Sequence, residues 1–347
     1  MKILIVKLSA IGDVIHTLPA LNAIRKHYPE AHITWLVEEA ASEILIGHPA
    51  IDRVLISRRK TWIRGWRSPG FSAKFRDALC FLKTLQDTRY DLIIDFQALL
   101  KSGILIALAK GKRKIGFDKG MEHMELSHLF LNERIAPVSM EHHALLRQLM
   151  LVRGIGIEWD GIEYRLPVEP EDKRRAGILL AEHGVQAGEP LIIINPGAKW
   201  KTKLWSSLKF ARLADAMIER RLGKVIFTGS EEDKRLIDAI RSSMKDNAAD
   251  LSGKTTLKTL AAVFEKAKFL ISTDTGPMHL AAALGLPVIA LFGPTAPWRT
   301  GPFGSRHRTV RAGLPCSPCF KRECGTVACM SNISLENVLG AVDERCR

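Results

Sequence analysis

The chain has 347 residues, 46% of them hydrophobic and 25% charged, with 51 Lys and Arg against 37 Asp and Glu for a net charge of +14. That length suits two domains better than one, and that composition excludes a disordered chain. The charge selects anionic partners; with no aromatic RNA-binding signature and no zinc-finger spacing, nucleic acid falls behind anionic membranes and phosphorylated or carboxylated substrates.

Residues 2–7 form an apolar run too short for a signal peptide and read as a buried strand. Val14, Leu18, Leu21 and Ile24 then recur at helical spacing. Residues 32–37 and 53–56 read as strands, and the basic, Gly- and Trp-rich stretch 58–74 as a mobile loop. Residues 72–88 are helical, with Phe75, Leu79, Leu82 and Leu85 on one side. A strand over 91–95, a helix over 102–109 and a helix over 142–152 complete the first half. No apolar stretch approaches the ~20 residues of a membrane span. The chain is therefore expected in the cytoplasm, with only peripheral membrane contact.

Gly154, Gly156, Gly161, Pro167 and Pro170 interrupt the pattern and mark a linker. The alternation then restarts. Strands are expected over 191–195, 224–228, 269–273 and 287–292, and helices over 206–220, 231–244, 257–266, 277–284 and 335–346. The fold class is α/β, with two doubly wound units in tandem facing across a cleft. Residues 1–165 make the first domain, 166–334 the second, and 335–347 a C-terminal helix.

Four places carry candidate chemistry. Ser9-Ala10-Ile11-Gly12-Asp13 follows the first strand and opens a helix. Asp13 there is either a first-turn carboxylate favoured by the helix dipole or an ionised general base. The turn lacks G-x-G-x-x-G and is no Walker motif. Asn195-Pro196-Gly197-Ala198, followed by Lys199, Lys201 and Lys203, is either a diphosphate cradle or a solvated basic loop. Gly229-Ser230-Glu231-Glu232 places Glu231 where a carboxylate grips a ribose or caps a helix. Asp274-Thr275-Gly276-Pro277-Met278-His279 sets a helix N-terminus at a strand end, an anion site or a capped helix with a satisfied His279. Separately, Cys316, Cys319, Cys324 and Cys329 have a spacing open to a structural zinc site or to a reduced loop cluster.

The opening Lys7-Leu8-Ser9-Ala10-Ile11-Gly12-Asp13-Val14-Ile15-His16-Thr17-Leu18-Pro19, the later Asp274-Thr275-Gly276-Pro277-Met278-His279-Leu280-Ala281-Ala282 and Leu291-Phe292-Gly293-Pro294-Thr295 together resemble glycosyltransferase family nine, the ADP-heptose lipopolysaccharide heptosyltransferases. Asp95-Phe96-Gln97-Ala98-Leu99-Leu100-Lys101-Ser102 resembles its acceptor-side segment, although the family often has Gly where Ala98 stands. The resemblance implies the GT-B fold and inverting, metal-independent transfer of L-glycero-D-manno-heptose from ADP-heptose, with no cofactor. It implies Asp13 as the base, and Lys203 and His279 as stabilisers of the leaving diphosphate. Thr275 and Gly276 would contact phosphate, Glu231 the ribose, and Asp274 the floor of the donor site. Ser9, Gln97 and Lys101 would contact the acceptor.

The implied acceptor is the Kdo sugar of Kdo2-lipid A, at the cytoplasmic face of the inner membrane. Residues 35–40 lean toward the type that adds the first heptose. The alternatives are a heptosyltransferase II, which adds the second heptose, and a non-catalytic protein that binds nucleotide sugar or anionic lipid.

Overall fold

The computed structural model describes every residue except 65–70, 122, 123, 187 and 347. The chain divides into two compact units, Met1–Pro167 and Val168–Arg347. The first contains β1 (Lys2–Val6), α1 (Ile11–His27), β2 (His32–Glu38), α2 (Glu39–Ser42), β3 (Arg53–Ser57), α3 (Arg59–Arg64) and α4 (Phe71–Gln86). It continues with β4 (Arg89–Asp95), α5 (Leu100–Leu108), β5 (Lys110–Phe117), a 3-10 turn (Leu126–Phe130), β6 (Glu133–Ile135) and α6 (Ala144–Arg153). The second unit runs α7 (Pro170–Glu182), β7 (Leu191–Asn195), α8 (Ser207–Glu219), β8 (Lys224–Phe227), α9 (Lys234–Arg241), β9 (Ala249–Asp250) and α10 (Leu257–Phe264). It closes with β10 (Ala267–Thr273), α11 (Gly276–Ala283), β11 (Val288–Leu291), α12 (Pro297–Thr300), β12 (Arg308–Val310), α13 (Ala328–Ser331) and α14 (Leu335–Cys346).

Each unit is built on a six-stranded sheet, in the orders β3-β2-β1-β4-β5-β6 and β12-β11-β10-β7-β8-β9. All pairings in both sheets are parallel. Counted along each unit, the two orders are the same doubly wound order, reversing between β1 and β4 in one and between β7 and β10 in the other. The central strands are apolar runs because helices cover both faces. Ile3, Leu4, Ile5 and Val6 of β1, and Ile192, Ile193 and Ile194 of β7, are wholly buried. The second core gathers Phe210, Met217, Phe227, Phe269, Ile271 and Leu291, and Val338 and Val342 tie α14 into it.

Three expectations change. Stretch 58–74 is not one loop: α3 occupies Arg59–Arg64 and α4 begins at Phe71, while 65–70 lie outside the described residues. Trp62 anchors α3, donating from Nε1 to the Asp77 carboxylate of α4 at 2.7 Å and stacking 5.2 Å from Phe81. The expected helix 231–244 is a 3-10 turn over Glu231–Asp233 followed by α9, because Asp233 accepts from the backbone N–H and the hydroxyl of Ser230 and tightens the first turn. The linker also ends sooner than its prolines suggest. Pro170 begins α7, where a missing N–H costs nothing, and Asp172 accepts the Glu169 N–H at 3.0 Å.

Candidate functional site

In the first unit the loops after β1 and β4 flank the point where strand order reverses. Asp13 lies in the first turn of α1, half-buried, and its Oδ2 accepts the Ala10 N–H at 2.9 Å. The carboxylate therefore does hold the helix start. Below it Lys7 is buried, donating from Nζ to the Phe96 carbonyl at 2.9 Å. Burial pushes the Lys7 ammonium below its ordinary range, and attraction from Asp13 and Asp95 opposes that shift.

The β4 loop braces the β1 loop. Gln97 Oε1 accepts from the backbone N–H groups of Leu8 at 2.9 Å and Ser9 at 3.0 Å. Lys101 donates to the Ser9 hydroxyl at 2.8 Å and to Glu38 at 3.0 Å. The structure thus brings Ser9, Gln97 and Lys101 together, with the Gln97 carbonyl spent on backbone. Asp95, fully buried, accepts from the N–H groups of Gln97 at 3.0 Å and Ala98 at 3.2 Å and from the Ser102 hydroxyl at 3.2 Å. Burial nonetheless pushes its carboxyl up.

Ala98 has φ of +57°, the left-handed region. A Cβ costs roughly 1–2 kcal/mol there. Ala98→Gly is expected to raise stability by about 0.5–1 kcal/mol, the gain being trimmed by the entropy glycine adds to the unfolded chain. Denaturant melts would show it as a higher midpoint with unchanged slope.

Glu38 was not singled out by sequence reading. It is buried at the carboxyl end of β2 and pairs with Lys101 at 3.0 Å, Lys60 at 3.1 Å and Arg59 at 3.5 Å. Burial alone would raise its carboxyl, but the hydrogen bonds from Lys101 and Lys60 outweigh it and the net direction is down. Its contribution to stability is then fully present above the ordinary glutamate value of 4.5 and is lost as pH falls through the depressed folded value. Glu38→Gln should cost roughly 2–4 kcal/mol near neutral pH. The gap from the parent in Tm should close as the pH drops below that range.

In the second unit the loops after β7, β8 and β10 meet around the matching reversal point. Lys203 Nζ pairs with Asp274 Oδ2 at 2.6 Å, the two side chains being 15% and 7% exposed. Thr295 donates its hydroxyl to the same carboxylate oxygen at 2.7 Å. Trp200 lies 4.5 Å from the Lys203 ammonium, and the Arg322 guanidinium stands 5.0 Å from the same ring. Thr273 ties the loops by donating to the Gly197 carbonyl at 2.5 Å. A Cβ on Gly197 would sit 2.3 Å from the Asp233 carboxylate, so a larger residue there would displace the group that accepts from Ser230.

Thr275 caps α11 through its backbone and makes no side-chain cap bond, leaving its hydroxyl at the helix mouth beside Gly276. His279 is buried one turn in. Lys203, Asp274, Thr275, Gly276 and His279 therefore share one strand-end corner. Glu231 lies in the 3-10 turn that follows β8, exposed and paired with Lys234 at 2.6 Å. Thr295 stood in the sequence only as the last residue of the Leu291–Thr295 resemblance, without a role; Trp200 and Arg322 were not singled out, and Arg322 reaches the site only through a neighbour distant in the chain.

The four clustered cysteines are all unpaired thiols. Cys329 is buried behind Gly293, Cys319 is half-buried, and Cys316 and Cys324 are exposed. Burial, then the neighbouring thiols of Cys319, Cys316 and Cys324, push the Cys329 thiol up. Among the described residues no group of three or more His, Cys, Asp or Glu is arranged to hold a metal ion. Cys316, Cys319 and Cys324 lie between β12 and α13, and Cys329 lies within α13. Nor is any described helix long and apolar enough to cross a membrane.

The model of glycosyltransferase family 9 (heptosyltransferase) matches residues 79–328. Lipopolysaccharide heptosyltransferase 1 of Pseudomonas aeruginosa is 33% identical over 324 residues, covering 93% of this chain and 87% of that protein. The Escherichia coli heptosyltransferase WaaC solved with ADP superposes with a TM-score of 0.79 at 27% identity, over 99% of this chain and 100% of that one. The same enzyme solved with ADP-2-deoxy-2-fluoro heptose gives a TM-score of 0.77 at 27% identity, with 99% of both chains covered.

Proposed function

Because this chain belongs to glycosyltransferase family 9, the heptosyltransferases, we propose that it transfers L-glycero-D-manno-heptose from ADP-heptose to the Kdo of Kdo2-lipid A in lipopolysaccharide inner-core synthesis. The first unit takes the acceptor and the second the donor in this reading. The supporting observation is the corner made by Lys203, Asp274 and the N-terminus of α11 at the reversal point of the second sheet. A cation, a helix end and a hydroxyl there suit the two phosphates of ADP.

The acceptor hydroxyl attacks the anomeric carbon on the face opposite the diphosphate. A new carbon–oxygen bond forms, the bond to the β-phosphate oxygen breaks, and configuration inverts. Asp13 takes the hydroxyl proton. Lys203, His279 and the α11 N–H groups stabilise charge on the departing ADP. Asp274, fixed by Thr295, holds Lys203 against that position. Glu231 binds the ribose, its Oε1 being paired with Lys234. Ser9 and Lys101 meet the acceptor, and Gln97 shapes the Ser9 loop. This chemistry needs no cofactor, and the lipid-linked acceptor puts the enzyme at the cytoplasmic face of the inner membrane as a peripheral protein.

The test is turnover of ADP-heptose by the purified chain, with Kdo2-lipid A and with its monoheptosylated product offered separately. ADP release and one added heptose with Kdo2-lipid A are expected. Activity on the heptosylated acceptor alone would reassign the chain to the second transfer, and ADP binding with no transfer to either would make it a binding protein.

A further inference from the structure

The outward stripe of α5 is as apolar as its inward one. Leu100 is 40% exposed, Ile104 47% and Leu108 39%, at successive i, i+4 positions, and Ala107 beside them is also exposed. The inward stripe carries Ser102, Gly103, Leu105 and Ile106. The 3-10 turn extends this surface, with Leu126 55% and Leu129 60% exposed.

The two elements are tightly joined. The Leu100 N–H donates to Glu125 at 2.6 Å, and a Cβ on Gly103 would lie 2.4 Å from the Phe130 ring. A surface helix of a soluble protein ordinarily turns polar residues outward, so a contiguous apolar stripe of this kind marks something that covers it.

We infer that this stripe is where the first unit docks on a bilayer bearing anionic headgroups. Charge complementarity selects that occupant. Lys110 is exposed just beyond Leu108, and Arg76 and Lys83 are exposed on α4, whose end is held to the end of α5 by the Gln86 bond to the Leu108 carbonyl at 3.0 Å. Apolar residues that dip into the headgroup boundary and cations that meet its phosphates are the two parts of an interfacial surface. The stripe starts at Leu100, next to Lys101, which bonds Ser9. An acceptor whose acyl chains stay in the bilayer thus presents its sugar at the strand ends of the first sheet. This inference rests on the proposed lipid-linked acceptor.

The experiment is co-sedimentation of the full chain with phosphatidylcholine vesicles, plain or containing roughly a third phosphatidylglycerol. Preference for the anionic vesicles is expected. Ile104→Gln with Leu129→Gln should lower the partition coefficient about tenfold, and Lys110→Gln about fivefold. Because the altered side chains are exposed, the circular dichroism, Tm and turnover on a deacylated, water-soluble acceptor should stay at parent values. Equal partitioning of the doubly substituted protein would overturn the inference. So would a dimer seen by analytical ultracentrifugation that this double substitution dissociates while vesicle binding is absent. Loss of turnover on the soluble acceptor by the parent protein would instead count against the proposed function, since partitioning is read without donor.

Discussion

Asp13→Asn is expected to lower kcat by at least the roughly 10²–10⁴-fold associated with losing a general base, with ADP binding unchanged. The substitution separates the two duties that meet in this side chain. Asn keeps an oxygen that can accept the Ala10 N–H now bonded at 2.9 Å, so the start of α1 survives. It cannot take a proton. Asp13→Ala removes both functions and should lower Tm as well as turnover. If Asp13→Asn turns over ADP-heptose near the parent rate, the residue is a helix cap and the base lies elsewhere. Burial of the Lys7 cation under this loop adds a cost common to both variants. Each removes the carboxylate charge and leaves that cation with less compensation, so Asp13→Asn should show that loss alone and Asp13→Ala that loss plus the cap.

The second large effect is expected at Lys203. Lys203→Ala should reduce kcat/KM for ADP-heptose by about 10²–10³-fold, the range seen when a preorganised donor to a developing charge is removed. The change also strands Asp274, whose carboxylate oxygen is paired at 2.6 Å and is only 7% exposed. A buried, uncompensated carboxylate costs roughly 3–5 kcal/mol and repels the diphosphate besides. Joining Asp274→Asn to Lys203→Ala should therefore recover part of the lost stability and ADP affinity, a non-additivity that a double-mutant cycle measures. The rise in Tm that ADP produces reports the affinity directly. Additive losses would mean that Asp274 does not act through Lys203. An unchanged kcat/KM in Lys203→Ala would remove the lysine from the donor site.

How far the sequence could be read depended on how local each signal was. The strands of both sheet centres were legible because a doubly covered strand must be an unbroken apolar run, as in Ile3 to Val6 and Leu191 to Ile194. β5 was not, since Lys110-Gly111-Lys112-Arg113-Lys114 carries no such run; it is held as a strand by pairing with β4 and β6 on either side. β9 and β12, two and three residues long, have too little sequence to signal anything. The Lys203 ammonium was visible as one of three lysines after a glycine turn. Its choice of Asp274 was not, because 71 positions separate them and only adjacent strands β7 and β10 bring them to one corner.

By itself, the order of residues settled that this is an α/β chain with alternating elements and that Asp13, Gly197 and Asp274 leave strands at their carboxyl ends. Hydrophobic periodicity and turn chemistry act over a few residues and are written along the chain. Folding in three dimensions settled the rest: that both sheets share one strand order, that Glu38 gathers three cations, that the four cysteines lie at different depths, and that α5 turns leucines outward. Each of these depends on which distant segments pack together, and burial, ion pairing and exposure have no value until that packing exists.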